Sequence, residues 1–231
     1  MKKEIKDASY VEKFVTFRNE PFFKIASQYC KQGMKILDVG AGKGGFAQIL
    51  GEPNVYLLDG NPESIECLKK KYKNVFQHLL PEALPFEDQF FDVIHCSHII
   101  EHLDPSSLYA SLKEFDRCLK PKGKLIVSTP LLYPGFYDDL SHVKPYTPWT
   151  LRHYLSDPGL DNRTRGTISN KYDVVDIFYR YSIEPIPYIN ISHSRKWAKN
   201  LLIRLVNLLR NLNVGFYQKT AYTLILQKNT E

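Results

Sequence analysis

Apolar residues along this chain gather in short runs separated by polar, helix-like stretches, the pattern of strands alternating with helices. Met34 to Val39 reads as a first buried strand that runs into Gly40-Ala41-Gly42-Lys43-Gly44-Gly45, with a helix from about Phe46. Val55-Tyr56-Leu57-Leu58 is a second apolar run and ends in Asp59. A polar helix comes next over roughly Pro62 to Tyr72, with proline suited to its first turn. Asn74-Val75-Phe76 is a short third strand, and alternating strand and helix signals continue to Ser128. Such a series predicts a parallel sheet covered on both faces.

The flanks are less regular. Tyr10 to Lys31 reads as one or two helices broken near Glu20-Pro21, an N-terminal helical cap over about 8–32. Between Pro130 and Pro148 lies a loop rich in Pro, Gly and Tyr, of the length that usually carries function. A helix runs from about Thr147-Pro148 to Leu155, and Leu160 to Asn170 is polar and aperiodic, a flexible loop. Tyr172 to Tyr181 and Ala221 to Gln227 read as the sixth and seventh strands, with a helix of about Ser194 to Leu212 between them.

At 100° per residue, that helix puts Trp197, Ala198, Leu201, Leu202, Leu205, Leu208, Leu209 and Leu212 on one side. Arg195, Lys196, Lys199, Asn200, Arg204, Asn207, Arg210 and Asn211 take the other, with Ile203 and Val206 intruding. Two readings are open: a surface helix docked by its leucines on its own domain, or a basic amphipathic helix lying on an anionic membrane or gripping a partner.

Charge sharpens that choice. The chain has 231 residues and a net charge of +6. Residues 1–150 hold 19 basic and 19 acidic side chains and residues 151–189 hold five of each, so the excess sits in residues 190–231, with seven basic residues and one acid. Composition is otherwise that of an ordinary globular protein, at 43% hydrophobic and 24% charged, and one domain over 1–231 is the simplest division. Cys30, Cys67, Cys96 and Cys118 form no C-x-x-C pair and suggest neither a zinc site nor a disulfide framework. No signal peptide and no apolar run of about 20 residues is expected, so the chain is expected in the cytoplasm, with peripheral membrane contact left open by the second reading of the basic helix.

The glycine turn carries the chemistry. Gly40, Gly42 and Gly45 satisfy the dinucleotide pattern G-x-G-x-x-G, while Gly40, Gly42 and Gly44 satisfy the G-x-G-x-G of enzymes that bind S-adenosylmethionine (SAM). Asp59, ending the next strand, is placed to accept from ribose hydroxyls in either case. Asp38 favours a cofactor bearing an ammonium and a sulfonium, because a carboxylate there would repel a pyrophosphate. No Gly-Lys-Ser/Thr succeeds it, so this is not a Walker loop.

Further motifs appear in order: Leu84-Pro85-Phe86, Phe90-Phe91-Asp92-Val93-Ile94, Glu101-His102-Leu103 and Pro121-Lys122-Gly123-Lys124-Leu125-Ile126-Val127-Ser128-Thr129-Pro130. Over about Met34 to Leu155 the chain resembles class I SAM-dependent methyltransferases, and in particular the family of ubiquinone-biosynthesis O-methyltransferases and small-molecule methyltransferases. The resemblance implies a Rossmann-like α/β fold: a seven-stranded, mostly parallel sheet with helices on both faces and the last strand antiparallel, here with a helical insertion between strands six and seven. It also implies SAM as cofactor. Asp38, Gly40, Gly42 and Gly44 would line the methionine end and Asp59 the ribose, with Gly60 and Asn61 flanking the adenine. Ser97 and His98 would pass under the cofactor, and Leu80 takes the position where relatives often place a carboxylate for the adenine, with Glu82 or His78 as substitutes. Cys96 is packing rather than a nucleophile.

On the acceptor side, the resemblance puts Glu101 and His102 at the cofactor edge of the pocket. His142, in the loop after the fifth strand, is the general-base candidate, since imidazole suits removal of a hydroxyl proton. Tyr133, Tyr137 and Tyr146 would build the acceptor wall, and Tyr10 and Arg18 would close over the cofactor, Arg18 pairing its carboxylate. Asp138, Asp139 and His142 make only a loose metal set, and no metal is expected. The expected reaction is methyl transfer to a small-molecule, glycan-intermediate or lipid-linked acceptor at oxygen. An RNA or protein methyltransferase using the basic C-terminal segment is the alternative, as is a SAM-binding regulatory protein without turnover.

Overall fold

The computed structural model describes residues 11–15, 22–51, 54–156, 164–185, 197–211 and 215–230. Its strands are β1 (Val11–Val15), β2 (Ile36–Val39), β3 (Val55–Asp59), β4 (Val75–Gln77), β5 (Phe91–Ser97), β6 (Leu119–Pro130), β7 (Tyr172–Pro185) and β8 (Gly215–Lys228). Helices are α1 (Phe22–Ser27), α2 (Gly45–Leu50), α3 (Pro62–Lys69), α4 (Pro105–Cys118), α5 (Pro148–Leu155) and α6 (Trp197–Asn211). Single 3-10 turns occupy Ile100–His102 and Phe136–Asp138. Among the described residues no helix is long and apolar enough to cross a membrane.

The strands form one sheet in the order β1-β7-β8-β6-β5-β2-β3-β4, in which only β8 runs antiparallel to its neighbours. The seven strands expected from the sequence are all present, with α6 in the connection between the last two. An eighth strand joins them. Residues 11–15 extend and pair in parallel with Asp176 to Arg180 of β7, in place of the expected helix. Val-Glu-Lys-Phe-Val has branched residues at both ends and an aromatic beside the second, residue types that suit a pleated edge. Of the expected helical cap, Phe22–Ser27 form α1, while residues 8–10 and 16–21, including Tyr10 and Arg18, lie outside the described residues.

Burial explains the continuous apolar runs. All four residues of β2 are buried, as expected for a strand covered on both faces. Leu37, Ile94, Leu125 and Leu224 pack with Leu108, Leu112 and Phe115 of α4 on one face, and Ile36, Val93, Ile126 and Ile225 with Phe22, Ile25 and Ala26 of α1 on the other. The helix starts obey capping chemistry. Asn61 accepts from the Glu63 amide, and Asp104 from the amides of Ser106 and Ser107, each just before a first-turn proline.

One polar network holds the segment after β4 in place. Arg117 on α4 donates to Glu114 Oε2 at 2.6 Å, to Asp88 Oδ1 at 2.8 Å, and to the carbonyls of Phe86 and Leu84 at 2.8 and 3.0 Å. Glu114 in turn accepts from the Leu84 amide at 2.8 Å. The Arg117 hydrogen bond holds the Glu114 carboxyl below its ordinary range. Such charged hydrogen bonds contribute about 1.5–3 kcal/mol each when a partner would be left desolvated. Arg117→Ala is therefore expected to lower the melting temperature by about 4–8 °C, on a loss of roughly 2 kcal/mol. Because the folded-state value of Glu114 is depressed, its contribution is present above the unfolded carboxylate range and is lost as pH falls through the folded value. Melts of the two proteins should converge in acid; a gap independent of pH would contradict this account.

Candidate functional site

The carboxyl ends of β2 and β3 create the centre of the site. Gly40 ends β2 with φ of +71°, a conformation that favours glycine, and a Cβ there would stand 2.1 Å from Ile99 Cδ1. Its amide and that of Ala41 donate to the Leu58 carbonyl, tying the loop to β3. Asp59 ties the loop a second time: Oδ2 accepts from the Gly42 amide at 2.7 Å and Oδ1 from the Asn61 amide at 2.8 Å. The expected cofactor loop and the expected ribose acid are thus joined directly.

Beside them opens a cleft of about 180 Å³ lined by Gly40, Asp59, Gly60, Leu80 and His102 of the expected set. Val39, Leu58, His78, Leu79, Ile99 and Leu103 complete it. Ile99 and Leu79 carry no motif and are recognisable only from the fold: each fills the place where a Cβ on Gly40 or Gly60 would be. Leu79 and Leu80 give one side of the cleft an apolar wall, while His78 Nε2 lies 3.1 Å from the Glu82 carbonyl.

Other expected cofactor residues stand off this cleft. Gly42 leaves open space where a Cβ would sit, but Gly44 packs against Leu68 and Tyr72 and serves the junction of α2 with α3. Asp38 is buried, and its Oδ1 accepts from His95 Nδ1 at 2.7 Å. His95 stacks on Phe46 at 3.9 Å between ring centroids, and no sequence pattern marks it. Ser97 keeps a buried hydroxyl without a hydrogen-bond partner, a group that a ligand could satisfy. His98 has φ of +56° and rests on Phe22. Cys96 is fully buried, and burial pushes its thiol well up, away from nucleophilic use.

The acceptor side is built by tertiary contacts. The Val143 and Lys144 amides donate to the Glu101 carbonyl at 2.8 and 3.2 Å, which clamps the loop after β6 onto the turn after β5. His102 donates through Nδ1 to the Ser141 carbonyl at 3.0 Å, and His142 through Nδ1 to the Phe136 carbonyl at 2.6 Å. A carbonyl partner requires the proton on Nδ1, so in the neutral ring Nε2 is left as an acceptor. The two rings lie 5.0 Å apart. Glu101 is fully buried: Thr129 donates to Oε2 at 2.9 Å, while His98 Nδ1 stands 3.2 Å from Oε1 outside hydrogen-bond geometry.

Glu101, His102 and His142 therefore converge, each with one ligand-capable atom within 4.8 Å of the others. The loose set read from sequence, Asp138 and Asp139 with His142, is not the group that assembles. His142 Nε2 lies 4.0 Å from Asp139 Oδ2, and Asp139 is engaged with Ser141. Of the expected acceptor tyrosines, Tyr146 is buried and donates to the Leu103 carbonyl, a packing role, whereas Tyr137 is exposed and Tyr133 half-buried.

Residues 12–165 match the model of a family described as a methyltransferase domain. The chain is 33% identical over 102 residues to a demethylmenaquinone methyltransferase of Chlorobaculum parvum, covering 42% of each chain. It is 33% identical over 141 residues to a ubiquinone/menaquinone biosynthesis C-methyltransferase of Vibrio cholerae, covering 53% of this chain and 54% of that one. It thus spans about half the length, or less, of these relatives. A SAM-dependent methyltransferase structure from Archaeoglobus fulgidus superposes with a TM-score of 0.60 at 22% identity, covering 89% of this chain and 91% of that one, a likeness of fold.

Proposed function

Because the chain belongs to the methyltransferase-domain family, we propose that it transfers a methyl group from SAM to a hydroxyl oxygen of a small acceptor held between the cofactor cleft and His142. The observation that carries this reading is the pairing of His102 and His142, whose Nδ1 atoms are both committed to carbonyls beside that cleft. SAM, when bound, supplies an activated methyl group on a sulfonium, so the protein has mainly to align the partners and receive one proton.

The residues present suit that cofactor. Asp59 would take the ribose hydroxyls, the close approach at Gly40 and Ile99 would shape the sulfonium end, and Leu79 and Leu80 would flank the base. Asp38, held by His95 beneath the glycine loop, would contribute its charge to the methionine end. On the acceptor side, Nε2 of His142 would accept the hydroxyl proton, with Glu101 holding the loop that carries it.

The experiment is transfer of a deuterated methyl group to candidate phenolic and sugar acceptors, read by mass and NMR. An O-methyl product supports the reading. Methylation at carbon would favour a second one, supported by the C-methyltransferase name of the Vibrio cholerae relative, in which the same base deprotonates a hydroxyl to activate a ring carbon. Failure to bind SAM in calorimetry would remove both.

The Glu101–His102–His142 cluster also has donor types suited to a divalent metal. As a base dyad it needs none. Exhaustive chelation is expected to leave the rate unchanged; loss of turnover restored by added Zn²⁺, Mn²⁺ or Mg²⁺ would convert the cluster into a metal site.

A further inference from the structure

α6 lies the opposite way round from a docked amphipathic helix. Ile203 is buried and Asn200, Val206 and Asn207 are half-buried, so the side rich in asparagine faces the protein. Trp197, Leu201, Leu202, Leu205 and Leu208 face outward, between 52% and 77% exposed. A helix that spends its asparagine side on its own domain and leaves four leucines and a tryptophan in water has its apolar face available for something else. Of the two readings open from the sequence, docking by the leucines does not match this exposure.

The surroundings of that face say what it fits. Helical pitch puts the exposed Arg204 at one border of the apolar arc, beside Trp197. No acid occurs in the helix, and residues 190–231 hold the entire excess of positive charge. An apolar arc bordered by an exposed arginine, with tryptophan at one end and no acid in the helix, matches the boundary between acyl chains and anionic headgroups.

Topology places this helix on the working edge of the sheet. β7 runs in the same sense as β6, β5 and β2, so its end at Pro185 lies on the edge where the glycine loop and the His102 turn also lie. β7 and β8 go on pairing with each other after β6 ends at Pro130, from Tyr181↔Lys219 to Pro185↔Gly215. That ribbon extends roughly 20 Å past the end of β6, at about 3.3 Å per residue. The connection carrying α6 leaves and returns at its tip.

We propose that α6 is a membrane-docking helix, which seats the carboxyl edge of the sheet and the mouth of the site against an anionic lipid surface. The apolar arc enters the acyl boundary and Arg204 at its border meets lipid phosphate. The helix and the ribbon suffice for this docking, whichever reaction the site performs.

Flotation of the full chain with vesicles of phosphatidylcholine, with and without phosphatidylglycerol, tests it. Wild type is expected to float with the anionic vesicles only, and less so as salt rises. Arg204→Glu should weaken binding about thirty-fold, because an attraction to lipid phosphate becomes a repulsion. The double variant Leu201→Asp/Leu205→Asp should abolish it, with SAM binding and melting temperature retained as evidence of folding. Absence of flotation, or equal flotation of all three proteins, would overturn the proposal. So would a dimer in solution that Leu205→Asp converts to monomer without any vesicle binding, since a second copy would then cover the face.

Discussion

Asp59→Ala is expected to weaken SAM binding by at least about 100-fold, the largest effect of any single substitution in the cleft. Asp59 acts twice. Its two oxygens hold the amides of Gly42 and Asn61, at 2.7 and 2.8 Å, and so fix both the glycine loop and the residue that caps α3. With SAM bound as proposed, the same carboxylate would also accept from the ribose hydroxyls. Each charge-assisted bond of this kind is worth about 1.5–3 kcal/mol. Losing two of them passes the 100-fold mark, because about 1.4 kcal/mol is a factor of ten. Asp59→Asn keeps the shape and one acceptor oxygen, so it should fall between the two. Calorimetric titration with SAM and S-adenosylhomocysteine reads the change, and an unaltered affinity for the alanine variant would show that the cofactor does not lie on Asp59.

His142→Ala should separate binding from chemistry. A positioned general base contributes typically about 10²–10⁴ in rate. The variant should therefore lose that much in kcat while its affinity for SAM stays at the wild-type value, because His142 stands outside the cofactor cleft. His102→Ala should affect both, since His102 lines that cleft and also donates to Ser141 of the loop that carries His142. Single-turnover transfer with labelled SAM distinguishes the two variants. Equal kcat in His142→Ala and wild type would remove His142 from the mechanism and leave alignment alone to account for the rate. A protein that binds SAM but transfers to no acceptor in either form would instead be a binding protein.

The core of the fold is legible in the sequence because its signals are local. A strand buried on both faces must be a continuous apolar run, and the turn at Gly40 needs a residue tolerant of positive φ. Asp59 can be placed for the same reason, being the last residue of the next such run. β1 reads wrongly as helix because its five residues, Val-Glu-Lys-Phe-Val, lack the period-two alternation that would mark a strand. Pairing with β7, more than 160 residues away in sequence, decides their state. Gly44 and Tyr146 belong to motifs or loops associated with function, yet each packs against neighbours supplied by other elements.

By itself the sequence determined the alternation of strands and helices, the glycine turn, the acid after the second of those strands and the concentration of charge near the C-terminus. These depend on spacing, and spacing survives folding unchanged. Only the tertiary structure decided that Asp38 holds His95, that His102 and His142 meet across 40 residues of chain, and that α6 turns its leucines outward. Each of these rests on which distant surface offers a carbonyl, a carboxylate or a groove, and no local periodicity encodes the identity of that surface.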